Sequence, residues 1–194
     1  SWVDFTTDIY DCIYAIIDRR RKFPASLLLR AIGYSSDYDI YSVFNLTMKY
    51  NIKNDKKDII EKTTIEDIIN SKTGEIILEK GSKLVESKID DCIKNKIKTI
   101  NLLTNEDSLK TQILKNTFEK DPTTSREEAL MLLYSHLRTG EAPSVDVASK
   151  FIEKMFFSTK KYDLGAVGRY RINKKFDLDA SIEDSVLTKE DFIE

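Results

Sequence analysis

The sequence predicts an α+β chain: a mixed helical lobe with an antiparallel hairpin, carrying a small inserted β-β-α-β unit. Three observations lead there. The first residues form β-branched and aromatic runs, and the last third holds long apolar-periodic runs with helix-capping residues. The type of cation also changes along the chain. All eight arginines lie within residues 19–30 or 126–171, whereas residues 47–120 hold fifteen lysines, no arginine and no proline. A lysine-rich surface with interspersed acids is typical of a solvated appendage, while arginine is favoured where a planar fork must grip phosphate or carboxylate. The expected organisation is therefore a discontinuous lobe over residues 1–46 and 119–194, with residues 47–118 as an insertion.

In chain order, "WVDFTT" and "CIYAIID" around the polar "DIYD" predict the hairpin. Pro24 suits the first turn of a short helix with Leu27, Leu28 and Ile32 on its apolar face, and Gly33 ends it. Ser36 then caps a second helix through Phe44. Two helices across "GYSS" have the outline of a helix-turn-helix, an arrangement that many mixed domains share without reading DNA.

Within the insertion, "TIEDIIN" and "EIILEKGSKL" flank the turn "SKTG", "ESKIDDCIKNKI" has helical spacing, and "KTINLL" reads as a further strand. Ile89, Cys92, Ile93 and Ile97 share one helix face, which is expected to bury against the hairpin. The acids on this helix, Asp90 and Asp91 among them, read as a wet face, since neither a histidine nor a glycine-rich loop accompanies them.

In the second flank, Ser125 and Glu128 form a capping box for "REEALMLLYSHLR", and Ser144 caps "VDVASKFIEKMFF" after Pro143. His136 has no neighbouring nucleophile or metal-ligand spacing and reads as structural or exposed. Cys12 and Cys92 are far apart and read as reduced, structural thiols. No nucleophile motif, phosphate loop or metal box is found.

A net charge of -2 and a pI near 5.7 give no global bias toward DNA or membrane, so any nucleic-acid contact is local. Without a bilayer-length apolar run, a cytoplasmic compartment and no membrane partner are expected. The chain opens "SWVDF" without methionine and stops at "TKEDFIE", where Thr188, Glu190 and Asp191 read as the start of a helix. A piece of a longer protein is expected.

The segments "IDRRRKFPASLLLRAIGY", "DPTTSREEAL", "LRTGEAPS" and "MFFSTKKYDLGAVGRYRINKKF" resemble, in order and wording, segments of the bacterial RNA polymerase β subunit. The resemblance covers nearly the whole of both flanks. In the middle it survives only in outline around "TGEII", where the family carries a variable insertion. Ala142 stands where the family more usually has a second proline and Lys161 where it often has arginine, so neither position is taken as an essential contact.

The resemblance implies a lobe that forms one jaw of the DNA cleft, beside downstream DNA and the non-template strand, within a DNA-directed RNA polymerase, a nucleotidyltransferase. It implies the other polymerase subunits β′, α and ω, a σ factor and DNA as partners. The catalytic magnesium belongs to β′, so no catalytic residue, cofactor or metal is expected in this chain, which alone would be monomeric. Trp2 matches a family tryptophan that stacks on a non-template base, though the residue alone would also suit a core, and Asp18 falls in the matching pocket region. Arg138 and Arg169 match cleft-side arginines, with Arg171 and Lys174 as further phosphate contacts.

Arg19, Arg20, Arg21 and Lys22 cannot all face one surface. In an extended chain Arg19 and Arg21 would lie on one side, Arg20 and Lys22 on the other. Phosphate contact and internal pairing with acids such as those of "DLDASIED" are both open for them. A second functional class is open as well: a protein-docking module for σ or a regulator, with little direct DNA contact.

Overall fold

The computed structural model describes residues 3–19, 21–138, 144–158, 165–176, 181 and 187–193. The fold is α+β, with helices and antiparallel strands in small sheets. The chain divides into two compact units, residues 1–36 with 114–194, and residues 37–113. The division falls ahead of the 46/47 boundary expected from composition and inside helix α5 (Leu109–Lys120) rather than at 118/119.

In the first unit, β1 (Val3–Thr7) pairs antiparallel with β2 (Ile13–Ile17), with Val3 opposite Ile17 and Thr7 opposite Ile13. The turn between them is closed by Asp8, whose carboxylate accepts the N–H groups of Tyr10 and Cys12 at 2.9 and 3.0 Å. Ala15 and Ile17 alternate inward from β2, and the Ile13 N–H is satisfied by the Thr117 hydroxyl at 3.0 Å.

A third strand, β3 (Arg21–Pro24), pairs with β2, Ile17 facing Arg21 and Ala15 facing Phe23. The sequence reading had no strand here. It also placed Arg19 in extended chain, and that is corrected: Asp18 and Arg19 have φ of 51° and 60° and belong to the tight turn between β2 and β3. Left-handed pairs of this kind match the twist of a hairpin, which is why the cationic run bends instead of continuing straight.

Helix α1 (Ala25–Ile32) follows with Pro24 at its N-cap and all eight residues buried. Gly33 ends it at φ 133°, a conformation that a side chain rarely adopts. Helices α6 (Arg126–Leu137) and α7 (Val145–Phe156) pack on α1 and on each other. Leu27, Leu28, Ala129, Leu130, Leu133, Ala148, Ile152 and Phe156 supply the buried faces, at the helical spacing that one stripe requires. Both helices start at the serines that the sequence marks: Ser125 accepts the Glu128 N–H, and Ser144 accepts the Val147 N–H. Glu128 returns to the Thr124 N–H and hydroxyl at 2.8 and 3.1 Å, one residue before the cap itself. Helix α8 (Gly165–Phe176) and a 3₁₀ turn (Glu190–Phe192) complete the unit, and Phe192 meets Phe156 edge-on at 5.5 Å.

Burying all of α1 also buries Arg30, 2% exposed, and that charge needs a partner. Asp121 supplies it. Its Oδ2 accepts Arg30 Nε at 3.2 Å and the Ser26 hydroxyl at 2.6 Å, while Oδ1 accepts the N–H and hydroxyl of Thr123 at 2.9 and 2.6 Å. Arg30 Nη1 donates to the Ser35 carbonyl at 2.6 Å, and the guanidinium lies 5.4 Å from the Phe118 ring centre. The cluster joins the first flank to the second across the sequence that separates them.

The second unit begins with α2 (Asp37–Val43). Its main pair of strands is β4 (Thr47–Asn51) with β7 (Thr99–Leu103), antiparallel, while β5 (Ile68–Ile69) and β6 (Ile76–Leu78) form the hairpin around "SKTG". Helix α3 (Lys56–Ile59) is short, and α4 (Glu86–Lys94) carries the expected face. Ile89 and Cys92 are buried and Ile93 and Ile97 pack beside them, in a core with Ile52, Ile59, Ile68, Leu78, Leu84, Ile100 and Leu102. Strand β4 was not anticipated. Two of its residues, Thr47 and Tyr50, are half-buried and the rest exposed, so "TMKYN" lacks the apolar alternation that announces a strand.

Two outcomes are expected. Asp121→Asn keeps the shape but strands the buried guanidinium and should lower unfolding free energy by about 3–5 kcal/mol in urea titration; a loss under about 1 kcal/mol contradicts the role given to the pair. The second concerns Glu128, whose carboxyl the Thr124 backbone N–H and then its hydroxyl hold below the usual glutamate range. Its contribution is present above the ordinary glutamate range and lost as pH falls through the lowered value. Glu128→Gln should thus unfold at lower denaturant than the parent at neutral pH, with the difference vanishing in acid.

Candidate nucleic-acid interface

The first unit brings two helical stripes, one from α6 and one from α7, to one cavity. Tyr134, Leu137 and Arg138 follow one another at the last turn and cap of α6, and Val147, Lys150, Phe151, Lys154 and Met155 occupy one side of α7. With Asp18 from the β2–β3 turn, these residues line a cavity of about 670 Å³. The core side of α7, Ala148, Ile152 and Phe156, is displaced by one residue from this lining. The helix is therefore apolar toward α1 and mixed toward the cavity.

Phe151 organises the cavity wall. The Tyr134 ring meets it edge-on at 5.2 Å, and the Arg138 guanidinium lies 5.2 Å from its ring centre. A planar cation over an aromatic face keeps its N–H fork directed outward, the arrangement suited to a phosphate or a base edge. Lys150 and Lys154 stand one turn apart and are exposed, and neither they nor Arg138 form an ion pair among the described residues. Three cations, two aromatic faces and one carboxylate thus surround one cavity. Backbone-tracking cations beside stacking rings are the recurring parts of single-strand nucleic-acid grooves.

The residues singled out from the sequence are distributed as follows. Trp2 and Arg20 lie outside the described residues. Asp18 and Arg138 line the cavity together, and Arg19, exposed in the same turn as Asp18, is its neighbour in the chain. Arg21 opens β3, half-buried opposite Ile17. Lys22 lies with its ammonium 4.2 Å from the Tyr14 ring centre.

Arg169 is placed differently from the cleft-side contact expected of it. Its side chain is 0% exposed, and Nη1 donates to both oxygens of Asp191 at 2.7 and 2.8 Å. The Thr188 N–H joins them on Asp191 at 2.7 Å, so this arginine ties α8 to the 3₁₀ turn. Arg171 and Lys174 are exposed on the same helix.

Tyr134, Lys150, Phe151 and Lys154 were not singled out from the sequence. On α7 the pattern Val147, Lys150, Phe151, Lys154 at i, i+3, i+4, i+7 was visible, but such spacing describes a core stripe as well as a cleft wall.

Other chemistry is sparse among the described residues. No group of three His, Cys, Asp or Glu side chains is arranged to hold a metal ion. Burial pushes the thiols of Cys12 and Cys92 up, away from the reactive thiolate. His136 is exposed, with Nδ1 3.0 Å from the Leu132 carbonyl and its ring edge-on to Phe23. No helix of the described residues is long and apolar enough to cross a membrane.

The family model described as RNA polymerase Rpb2, domain 2, matches residues 89–194. Over its whole length the chain is 41% identical to a protein of Flavobacterium psychrophilum named DNA-directed RNA polymerase subunit beta. It is 40% identical, again over its whole length, to proteins of the same name from Bacteroides thetaiotaomicron and Porphyromonas gingivalis. The chain spans 17% of the length of each of these relatives.

If Phe151 organises the wall, Tyr134→Leu and Phe151→Leu should not be additive. A double-mutant cycle read by urea unfolding should give a coupling of about 0.5–1.5 kcal/mol, and a value of zero would mean that the two rings are placed by other contacts.

Proposed function

Since the chain belongs to the RNA polymerase Rpb2 domain 2 family, we propose that it works as a segment of a bacterial RNA polymerase β subunit, its first unit forming one jaw of the DNA cleft. The observation that carries this reading is the cavity between α6 and α7, where Arg138, Lys150 and Lys154, which form no ion pair among the described residues, stand beside the Tyr134 and Phe151 rings. Such a surface favours a displaced single strand over a closed duplex, because stacking needs an exposed base face. The non-template strand near the downstream edge of the bubble is the strand in question. Trp2 enters as a stacking platform through the family resemblance alone, with Asp18 at the cavity beside it in role. Arg19 of the β2–β3 turn, Arg21 at the start of β3, Arg20 by its place in the sequence, and Arg171 and Lys174 of α8 are the further phosphate candidates. Arg169, paired with Asp191, is left out of that set.

In this reading the chain contributes to a nucleotidyltransferase without reacting itself. Magnesium and the chemical step lie with β′, and β′, α, ω and σ are the assembly partners in the cytoplasm. By itself the chain is a monomer that binds no nucleotide for catalysis. A second reading, a docking module for σ or a regulator, is favoured by the β1–β2 turn, where Ile9 and Tyr10 are 88% and 67% exposed.

Salt dependence separates these contacts. Arg138→Ala should lower the affinity of the chain for a single-stranded oligodeoxynucleotide and reduce the slope of log affinity against log salt by about 0.7 per lost phosphate contact. Trp2→Ala, placed in the assembled polymerase, should weaken the open complex by about 1–3 kcal/mol with the slope unchanged. Slopes unaffected by Arg138→Ala, Lys150→Ala and Lys154→Ala alike would move the docking reading ahead.

A further inference from the structure

The second unit has a cavity of its own, of about 390 Å³, lined by Asn51, Lys53, Asn54, Lys96 and Lys98 with Ile93 and Ile97. Local backbone chemistry builds it from two turns. Asn51 closes the first by accepting the N–H groups of Lys53 and Asn54 on its side-chain oxygen, both at 3.1 Å. The second ends α4, where Lys96 takes a φ of 62° and the Ile97 N–H donates to the Cys92 carbonyl at 3.0 Å. The Ile52 N–H donates to the Lys98 carbonyl at 3.0 Å and Asn51 faces Thr99 across the β4–β7 pair, so the turns are held side by side.

The outcome is a local concentration of positive charge. Three exposed ammonium groups line one concavity, none has a carboxylate partner among the described residues, and no acid lines the cavity. Elsewhere in the unit Lys56, Lys80, Lys83 and Lys94 have acidic partners while others, such as Lys57, Lys72 and Lys110, stand exposed singly; what sets Lys53, Lys96 and Lys98 apart is that they line one cavity. Asp55, the nearest acid in the first turn, is occupied by the Asn51 N–H at 2.6 Å. Beneath the cations, Ile93 and Ile97 are only half-buried and give the cavity an apolar floor.

We propose that this cavity docks an acidic peptide segment of a partner protein, an aliphatic side chain of the segment resting on Ile93 and Ile97 while flanking carboxylates meet Lys53, Lys96 and Lys98. Charge complementarity names the sign of the occupant, and the floor and the rim name its class. A nucleic-acid strand would leave the isoleucines unused, and the lining has no aromatic ring or arginine on which a base could stack. A cavity of this size admits an anchoring side chain and excludes a duplex. The Asn54 amide offers a donor and an acceptor to the peptide backbone, and the Asn51 NH₂ group, its oxygen already taken by the turn, offers a donor. The proposal concerns the second unit alone and stands or falls independently of the DNA contacts proposed for the first.

The test uses the 194-residue chain and a fluorescent peptide of glutamates around two adjacent leucines, read by anisotropy. Binding should weaken about tenfold in Lys53→Gln/Lys96→Gln/Lys98→Gln, as expected for losing three exposed charge contacts. It should be unchanged in Lys57→Gln/Lys72→Gln/Lys110→Gln, which removes exposed lysines of the same unit away from the cavity. Replacing the two peptide leucines by serine should also weaken binding. Equal loss in both triple variants, no loss in the first, indifference to the leucines, or tighter binding of duplex DNA through the same three lysines would each overturn the proposal.

Discussion

Arg30 and Asp121 are 91 residues apart in the chain and meet with their side chains almost wholly out of water. An ion pair so placed gains little net stability over a packed apolar pair, because both ions lose their hydration. Its consequence is a constraint. Once α1 is buried on every side, the guanidinium has to end where a carboxylate waits, so α1 can take one position against the segment leading into α6. Ser26, Thr123 and the Ser35 carbonyl complete the hydrogen bonding and remove the alternatives. A discontinuous unit, whose two flanks are separated by an independent stretch of chain, needs such a contact to register one flank on the other.

The cavity inherits that registration. Helix α7 divides its surface between Ala148, Ile152 and Phe156, committed to the core, and Lys150, Phe151 and Lys154, which line the cavity. Which side faces where is decided by the packing of α1, α6 and α7, and that packing is what Arg30 and Asp121 fix in place. The same logic, buried charge used for position, recurs at Arg169 and Asp191, where it holds the terminal turn against α8 and so withdraws one arginine from the surface. Cations on this unit thus divide into those that place helices and those that stay exposed on its surface.

What was legible in the sequence was local. Ser125 and Ser144 announce their helices because a cap acts within four residues, and the β1–β2 hairpin is announced by two β-branched runs around a polar turn. Strand β3 was hidden because its charges and proline resemble a loop; only pairing with β2 makes "RKFP" a strand. Strand β4 was hidden by its wet face. The burial of Arg30 and Arg169 could not be read, since the partners that allow it are distant in sequence for one and indistinguishable from any acidic turn for the other. At the candidate site, Asp18 and Arg138 came from the family resemblance, while Lys150 and Phe151 needed the structure to separate a cleft wall from a core stripe.

The function proposed for the first unit has a single-stranded nucleic acid meeting it at the α6–α7 cavity. Amide chemical-shift changes on titrating the ¹⁵N-labelled chain with a short single-stranded oligodeoxynucleotide test it most directly, because they locate even weak binding. The account predicts shifts concentrated at Asp18, Tyr134, Arg138, Lys150, Phe151 and Lys154. Shifts confined to residues 37–113, or none in α6 and α7 at oligonucleotide concentrations that saturate the response elsewhere, would contradict it.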